Sequence, residues 1–184
     1  AIGCPLGRNL INFHLAMKSI LVFLMGALAS GFGLPSAACA ATVFWTGGGD
    51  GVSWNQAANW SDNLPPTAAD DAIISGLDTN ATITLSANVT IRSLESSASI
   101  NIAGGSLALS RGASRIQGTL TIAANRSLTL TGTNTTLSVS GPTVADGASL
   151  TVSGGAVLEL PNVLSCHDTT GCCGAVWEAS GAGS

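Results

Sequence analysis

The chain has no tyrosine and a single lysine, Lys18. Beyond residue 40 its only cations are Arg92, Arg111, Arg115 and Arg126, set against ten acids, a net charge of −6. No basic stripe exists to follow a phosphate backbone, which argues against nucleic acid as a partner. No aromatic residue lies between Trp60 and Trp177, so beyond residue 40 the rings are held to the two ends. The longest uninterrupted apolar run, Ile20 to Leu28, falls short of the roughly 20 residues that span a bilayer. Charged residues make up only 9% of the chain, yet disorder does not follow, because aliphatic side chains are abundant and regularly placed.

The first residue is Ala1 rather than Met, which reads as a fragment or a misplaced start, with residues 1–16 outside the mature protein. Residues 17–40 read as a secretory signal: Lys18, an apolar core at Ile20–Leu28, then Gly and Pro, then Ala38-Cys39-Ala40 as a small-x-small cleavage site. The mature chain then starts at Ala41 and has no membrane span. A lipid anchor through Cys39 is the weaker alternative, since Ser36 stands where a large aliphatic residue is expected.

Residues 81–163 alternate apolar and small polar residues in short runs, the period of two that marks strands. The runs also recur. Ser106-Leu107-Ala108-Leu109 returns as Ser127-Leu128-Thr129-Leu130 and as Ser149-Leu150-Thr151-Val152, at steps of 21 and 22 residues. A second column is Ile116, Leu137 and Leu158, with Val139 and Leu160 beside the last two. A third runs Ile100/Ile102, Leu120/Ile122, Val144. Three stacked columns predict an all-β fold: a right-handed parallel β-helix, or β-solenoid, of about four three-faced coils. Ile83/Leu85, Val89/Ile91 and Leu94 supply the first coil. An antiparallel β-sandwich is the alternative.

A solenoid leaves the end of its apolar column open to water, so terminal caps are expected. Residues 41–80 are assigned to such a cap. Trp45, Trp54 and Trp60 would cover the first coil, each turning its indole N–H to a polar partner. Asn59 and Ser61 would satisfy local backbone groups, Pro65-Pro66 would enforce an extended turn, and Asp70-Asp71 would close that turn into the strand Ala72-Ile73-Ile74.

This order of Trp45, Ser53-Trp54, Ala58-Asn59-Trp60, Pro65-Pro66 and Asp70-Asp71-Ala72-Ile73, followed by Ser/Thr-rich repeats, resembles the N-terminal part of bacterial secreted β-helix surface proteins. These are autotransporter passengers and filamentous-haemagglutinin-like adhesins. The resemblance covers residues 41 to about 160. It implies surface display, an adhesive role, a longer chain and a downstream barrel or anchor.

Many β-helices are polysaccharide lyases or hydrolases, so adjacent carboxylates at Asp70-Asp71 invite an acid–base reading. Neighbours on a strand point to opposite faces, and residues 81–160 hold only Glu95, Asp146 and Glu159 as acids, with no His or Lys. No catalytic, cofactor or metal residue is therefore assigned. "GGGDG" at 47–51 resembles one calcium-binding glycine-rich repeat, but it occurs once and reads as a flexible turn. Asn59, Asn80, Asn88, Asn125 and Asn134 begin Asn-x-Ser/Thr triplets; several arise by chance in a Ser/Thr-rich chain, and on the sequence alone they are expected to matter only for a eukaryotic source.

The tail, residues 164–184, carries Cys166, Cys172 and Cys173. Cys166 with Cys172 or Cys173 would close a disulfide in an oxidising compartment; free or intermolecular thiols, or a zinc site with His167, are the alternatives. Pro161 should stop the regular strands, and the tail shows no spacing for another coil. The Val144, Leu150, Val152, Leu158 and Leu160 face should then be only partly covered. The expected function is a non-catalytic, exported surface or adhesion module binding a glycan or a matrix protein. The alternative is the start of a carbohydrate-active β-helix enzyme whose catalytic coils lie beyond residue 184.

Overall fold

The computed structural model describes residues 40–167 and 177–181. The proposed signal segment and Cys39 lie outside them. Two strands precede the coils, β1 (Thr42–Phe44) and β2 (Asp71–Ile74). The first coil is β3 (Thr82–Leu85), β4 (Val89–Ile91) and β5 (Ser93–Ser96); the second is β6 (Ser99–Ile102), β7 (Ser106–Leu109) and β8 (Gly112–Ile116). The third is β9 (Leu120–Ile122), β10 (Ser127–Thr131) and β11 (Thr135–Val139); the fourth is β12 (Thr143–Val144), β13 (Ser149–Ser153) and β14 (Val157–Glu159). Two more strands, β15 (Val163–Ser165) and β16 (Trp177–Ser180), lie beyond Pro161.

Every third strand stacks on the same face, giving sheets β3-β6-β9-β12-β15, β4-β7-β10-β13-β16 and β1-β2-β5-β8-β11-β14. All pairings between these strands are parallel. The fold is a three-faced β-solenoid of about four coils, and an antiparallel sandwich is excluded. The apolar alternation explains why: Leu107, Leu128 and Leu150 face inward in register and are buried, as are Leu109 and Leu130. A strand spacing of about 4.8 Å puts such side chains in contact along the column, each contributing roughly 1.5–3 kcal/mol on full burial.

Two of the three predicted columns shift. Ile116 pairs with Val139, not Leu137; Leu137 stacks between Ser114 and Leu158. Ser114 is nearly buried, and its hydroxyl accepts the Leu94 N–H at 3.0 Å. A serine is tolerated in the column because it completes the backbone pairing of the coil beneath. On the third column, Ile100 stacks on Leu120 and Ile102 on Ile122 as expected. Val144, however, pairs with Thr121 and faces outward, while Thr143 sits over Leu120 and is fully buried. Ala145 and Ala148 fill the space beside it.

Close stacking of the corners accounts for glycine at several of them. A Cβ on Gly141 would lie 2.2 Å from the carbonyl oxygen of Gly118 on the preceding coil, and one on Gly105 would lie 2.1 Å from the backbone of Ala87. Gly141→Ala is expected to push two coils apart and cost about 1–3 kcal/mol, the range for overpacking. A urea melt superimposable on that of the parent chain would mean the corner opens freely.

Candidate functional site

The candidate site is the N-terminal cap, where the polar and aromatic side chains converge. Residues 52–54 run along the outer edge of β3: Trp54 N–H donates to Thr84 O at 2.9 Å and Thr84 N–H to Val52 O at 2.8 Å. This edge pairing places Trp54 over the first coil, where it is 1% exposed, as is Trp60. Trp60 lies edge-to-face against both neighbours, its ring centroid 5.0 Å from Trp45 at 89° and 4.7 Å from Trp54 at 66°. Its Nε1–H donates to Trp54 O at 2.7 Å. The expectation of a polar partner for each indole holds for Trp60 alone. The buried Nε1 atoms of Trp45 and Trp54 have no hydrogen-bond partner among the described residues. Packing of the three rings over the column outweighs the two unmade bonds.

The glycine-rich turn is a bonded loop rather than a flexible one. Asn59, fully buried at the end of the short 3-10 turn Ala57–Asn59, organises it. Its Oδ1 accepts the N–H groups of Gly49 and Gly51, at 2.9 and 3.0 Å. Its Nδ2 donates to Asp50 Oδ1 at 2.8 Å and to Ser53 O at 2.9 Å. Asp50 also accepts the Ser53 hydroxyl and the N–H groups of Ser53 and Val52. These bonds, the Ser53 hydroxyl first, hold the Asp50 carboxyl far below the ordinary carboxylate range. Sequence reasoning missed Asp50. The signal was the Asp50-x-x-Ser53 spacing, which allows an aspartate to accept N–H groups two and three residues on. Ser61 Oγ accepts the Phe44 N–H, as its position suggested.

The adjacent aspartates do separate work. Asp70 accepts the Thr67 N–H at 2.8 Å and the Thr67 hydroxyl at 2.7 Å, closing the turn after Pro66. Partial burial opposes its ionisation, but the Thr67 and Ala41 hydrogen bonds outweigh that and lower its pKa. Asp71 begins β2 and binds Arg92 through both oxygens, at 2.9 Å to Nε and 2.8 Å to Nη2, and also accepts the Ser93 hydroxyl. With Arg92 35% and Asp71 22% exposed, the pair contributes about 0–1 kcal/mol. Neither carboxylate faces the other across a space where a substrate would sit.

At the opposite end, β15 pairs with β12 and β16 with β13, Trp177 lying opposite Leu150. The expectation of a tail without coil structure is corrected: Val163–Ser165 and Trp177–Ser180 extend two of the sheets. Asp146 ties this end together by accepting the His167 N–H at 2.6 Å and the Ser165 hydroxyl at 2.8 Å, and these bonds lower its pKa. Beside these strands lies an open hollow of about 380 Å³, lined by Leu150, Val152, Leu158, Leu160, Val163, Glu178 and Ala179. Cys166 is exposed and free. Cys172 and Cys173 lie outside the described residues, and so does any disulfide or zinc site that would use them. Among the described residues, no three His, Cys, Asp or Glu side chains are grouped as metal ligands would be, and no helix is long and apolar enough to cross a membrane.

The charged side chains of the sheets are segregated. Asp71, Glu95, Arg115 and Glu159 all lie on the β1-β2-β5-β8-β11-β14 face. The other two sheets carry none through the four coils, and present instead outward rows such as Ser106–Ser127–Ser149 and Thr90–Ala108–Thr129–Thr151. Comparison with protein-family models, with curated proteins and with solved structures finds no match, so the functional reading rests on this geometry.

Proposed function

We propose that the chain is a non-catalytic structural or adhesive module that works outside the cell, its stacked coils offering flat hydroxyl-bearing faces to a glycan or a matrix protein. The observation that carries this reading is the division of labour among its side chains. Asp50, Asp70 and Asp71 of the cap are committed to holding turns and an ion pair, while two sheet faces are left uncharged through the four coils. Such faces bind through many weak, repeated contacts rather than through one pocket. Display at a cell surface and descent from autotransporter-like or haemagglutinin-like adhesins belong to the same proposal, supported by the tryptophan cap ahead of Ser/Thr-rich coils.

The test is a binding panel of polysaccharides and matrix proteins probed with the purified chain. Saturable retention is expected on at least one surface, with no release of reducing ends or unsaturated sugars. Charge placed on the β10–β13 face by Thr129→Lys with Thr151→Lys should weaken retention at least tenfold, whereas Glu95→Gln should leave it unchanged. Turnover of a polysaccharide that disappears in the Asp70→Asn, Asp71→Asn double variant would replace this reading with an enzymatic one.

A further inference from the structure

The fold sorts the five Asn-x-Ser/Thr triplets. Asn59 is fully buried, and both atoms of its amide are spent on the cap. Asn80, Asn88 and Asn134 stand exposed at corners, and each is followed two residues on by an exposed threonine, Thr82, Thr90 and Thr136. The only hydrogen bond to these three amides among the described residues is a solvent-exposed one, Ser106 Oγ to Asn88 Oδ1 at 3.2 Å. Asn125 is exposed but differs in two ways. It holds a left-handed backbone with φ 60°, its N–H bonded to Gly147 O at 2.8 Å, and its hydroxyl residue Ser127 is half-buried in β10.

We propose that Asn80, Asn88 and Asn134 are N-glycosylation acceptors on the folded chain, and that Asn59 and Asn125 are not. The co-reactant is a sugar carried on a diphosphate, either nucleotide- or lipid-linked. The asparagine amide nitrogen bonds to the anomeric carbon. The bond from that carbon to the diphosphate oxygen breaks, the diphosphate leaves with the electron pair, and one amide proton passes to a base of the transferase. The three sites lie between β2 and β3, between β3 and β4, and between β10 and β11. Sugars there project from corners and leave the flat faces clear.

The experiment uses the full chain in two arms. In one, the folded, unmodified protein is incubated with a soluble asparagine glycosyltransferase and a nucleotide-activated hexose. In the other, the chain is exported through a secretory pathway that uses a lipid-linked oligosaccharide. Peptide mass mapping of the protease-resistant fraction should find added sugar at Asn80, Asn88 and Asn134 in at least one arm, which identifies the donor, and none at Asn59 or Asn125. Urea-unfolded chain in the first arm should gain both of those sites. Absence of sugar at the three exposed asparagines in both arms overturns the proposal. So does equal occupancy of Asn59 or Asn125 on folded chain, or an unfolded chain that still accepts sugar at only the three.

Discussion

Leu128→Asp abolishes folding under conditions where Thr129→Asp leaves the solenoid intact. Leu128 is fully buried between Leu107 below and Leu150 above. The substitution removes a buried aliphatic side chain, roughly 2–3 kcal/mol of transfer energy, and puts a carboxyl where no hydrogen-bond donor reaches. An unpaired carboxyl there either stays ionised at a cost of several kcal/mol or takes up a proton and remains an unsatisfied polar group. The sum approaches the whole stability of a small domain, about 5–15 kcal/mol. Thr129 lies one residue on, on the outer side of the same strand, flanked by Ala108 and Thr151. An aspartate there stays solvated and costs about 1 kcal/mol through strand preference. Urea melts followed by circular dichroism separate the two. Equal losses would mean that the inward and outward rows have been interchanged.

Trp60→Ala is the second large effect, about 3–5 kcal/mol for a buried ring. The ring fills the space between Trp45 and Trp54, and its N–H is the donor to Trp54 O. Its loss loosens the stretch that covers the outer edge of β3, so the unfolding midpoint should fall and aggregation through the bared edge should rise. Trp60→Phe separates packing from the hydrogen bond: it keeps most of the ring and leaves a buried carbonyl unpaired, for a loss of about 1–3 kcal/mol. Tryptophan fluorescence together with the denaturant midpoint gives both numbers. Should Trp60→Ala melt with the parent chain, the three rings would be ornaments on the solenoid rather than its cap.

The parts of this structure that were readable in advance share one cause. The Leu107–Leu128–Leu150 column is visible in the sequence because the corners between these strands keep nearly constant length, giving steps of 21 and 22 residues. Elsewhere the corners gain or lose residues. Ile116 meets Val139 after 23 residues, whereas Leu137 meets Leu158 after 21. A fixed step therefore paired Ile116 with Leu137 and placed Val144 inside, while the chain uses Ser114 and Thr143 at those inward sites. Small polar residues carry no hydropathic mark of burial; only the position of the neighbouring N–H explains Ser114. The tryptophans could be assigned to a cap from their placement, but not the Asp50–Asn59 network behind them. That network depends on a turn folding back across ten residues, and the sequence pattern of Gly47–Gly51 suggested looseness. The strand β15 went unseen because Pro161 reads as the end of regular pairing, and β16 because Trp177–Ser180 has only one aliphatic residue, so its place in the sheet is set by the edge it extends.

The order of the sheets has a mechanical consequence. Each coil is bonded only to the coil before it and the coil after it. Tension applied along such a stack runs through the coils in series and cannot be shared among them. It acts on each interface between coils in turn, and among the described coils the stacking contact is weakest where β14, β15 and β16 border an open hollow. Each coil that peels off releases roughly 70 Å of slack, about 21 residues at 3.3–3.6 Å apiece. The first coil, held by the packing of Trp45, Trp54 and Trp60, bears the same tension behind a stronger contact. A stack built this way lengthens under load in increments of one coil.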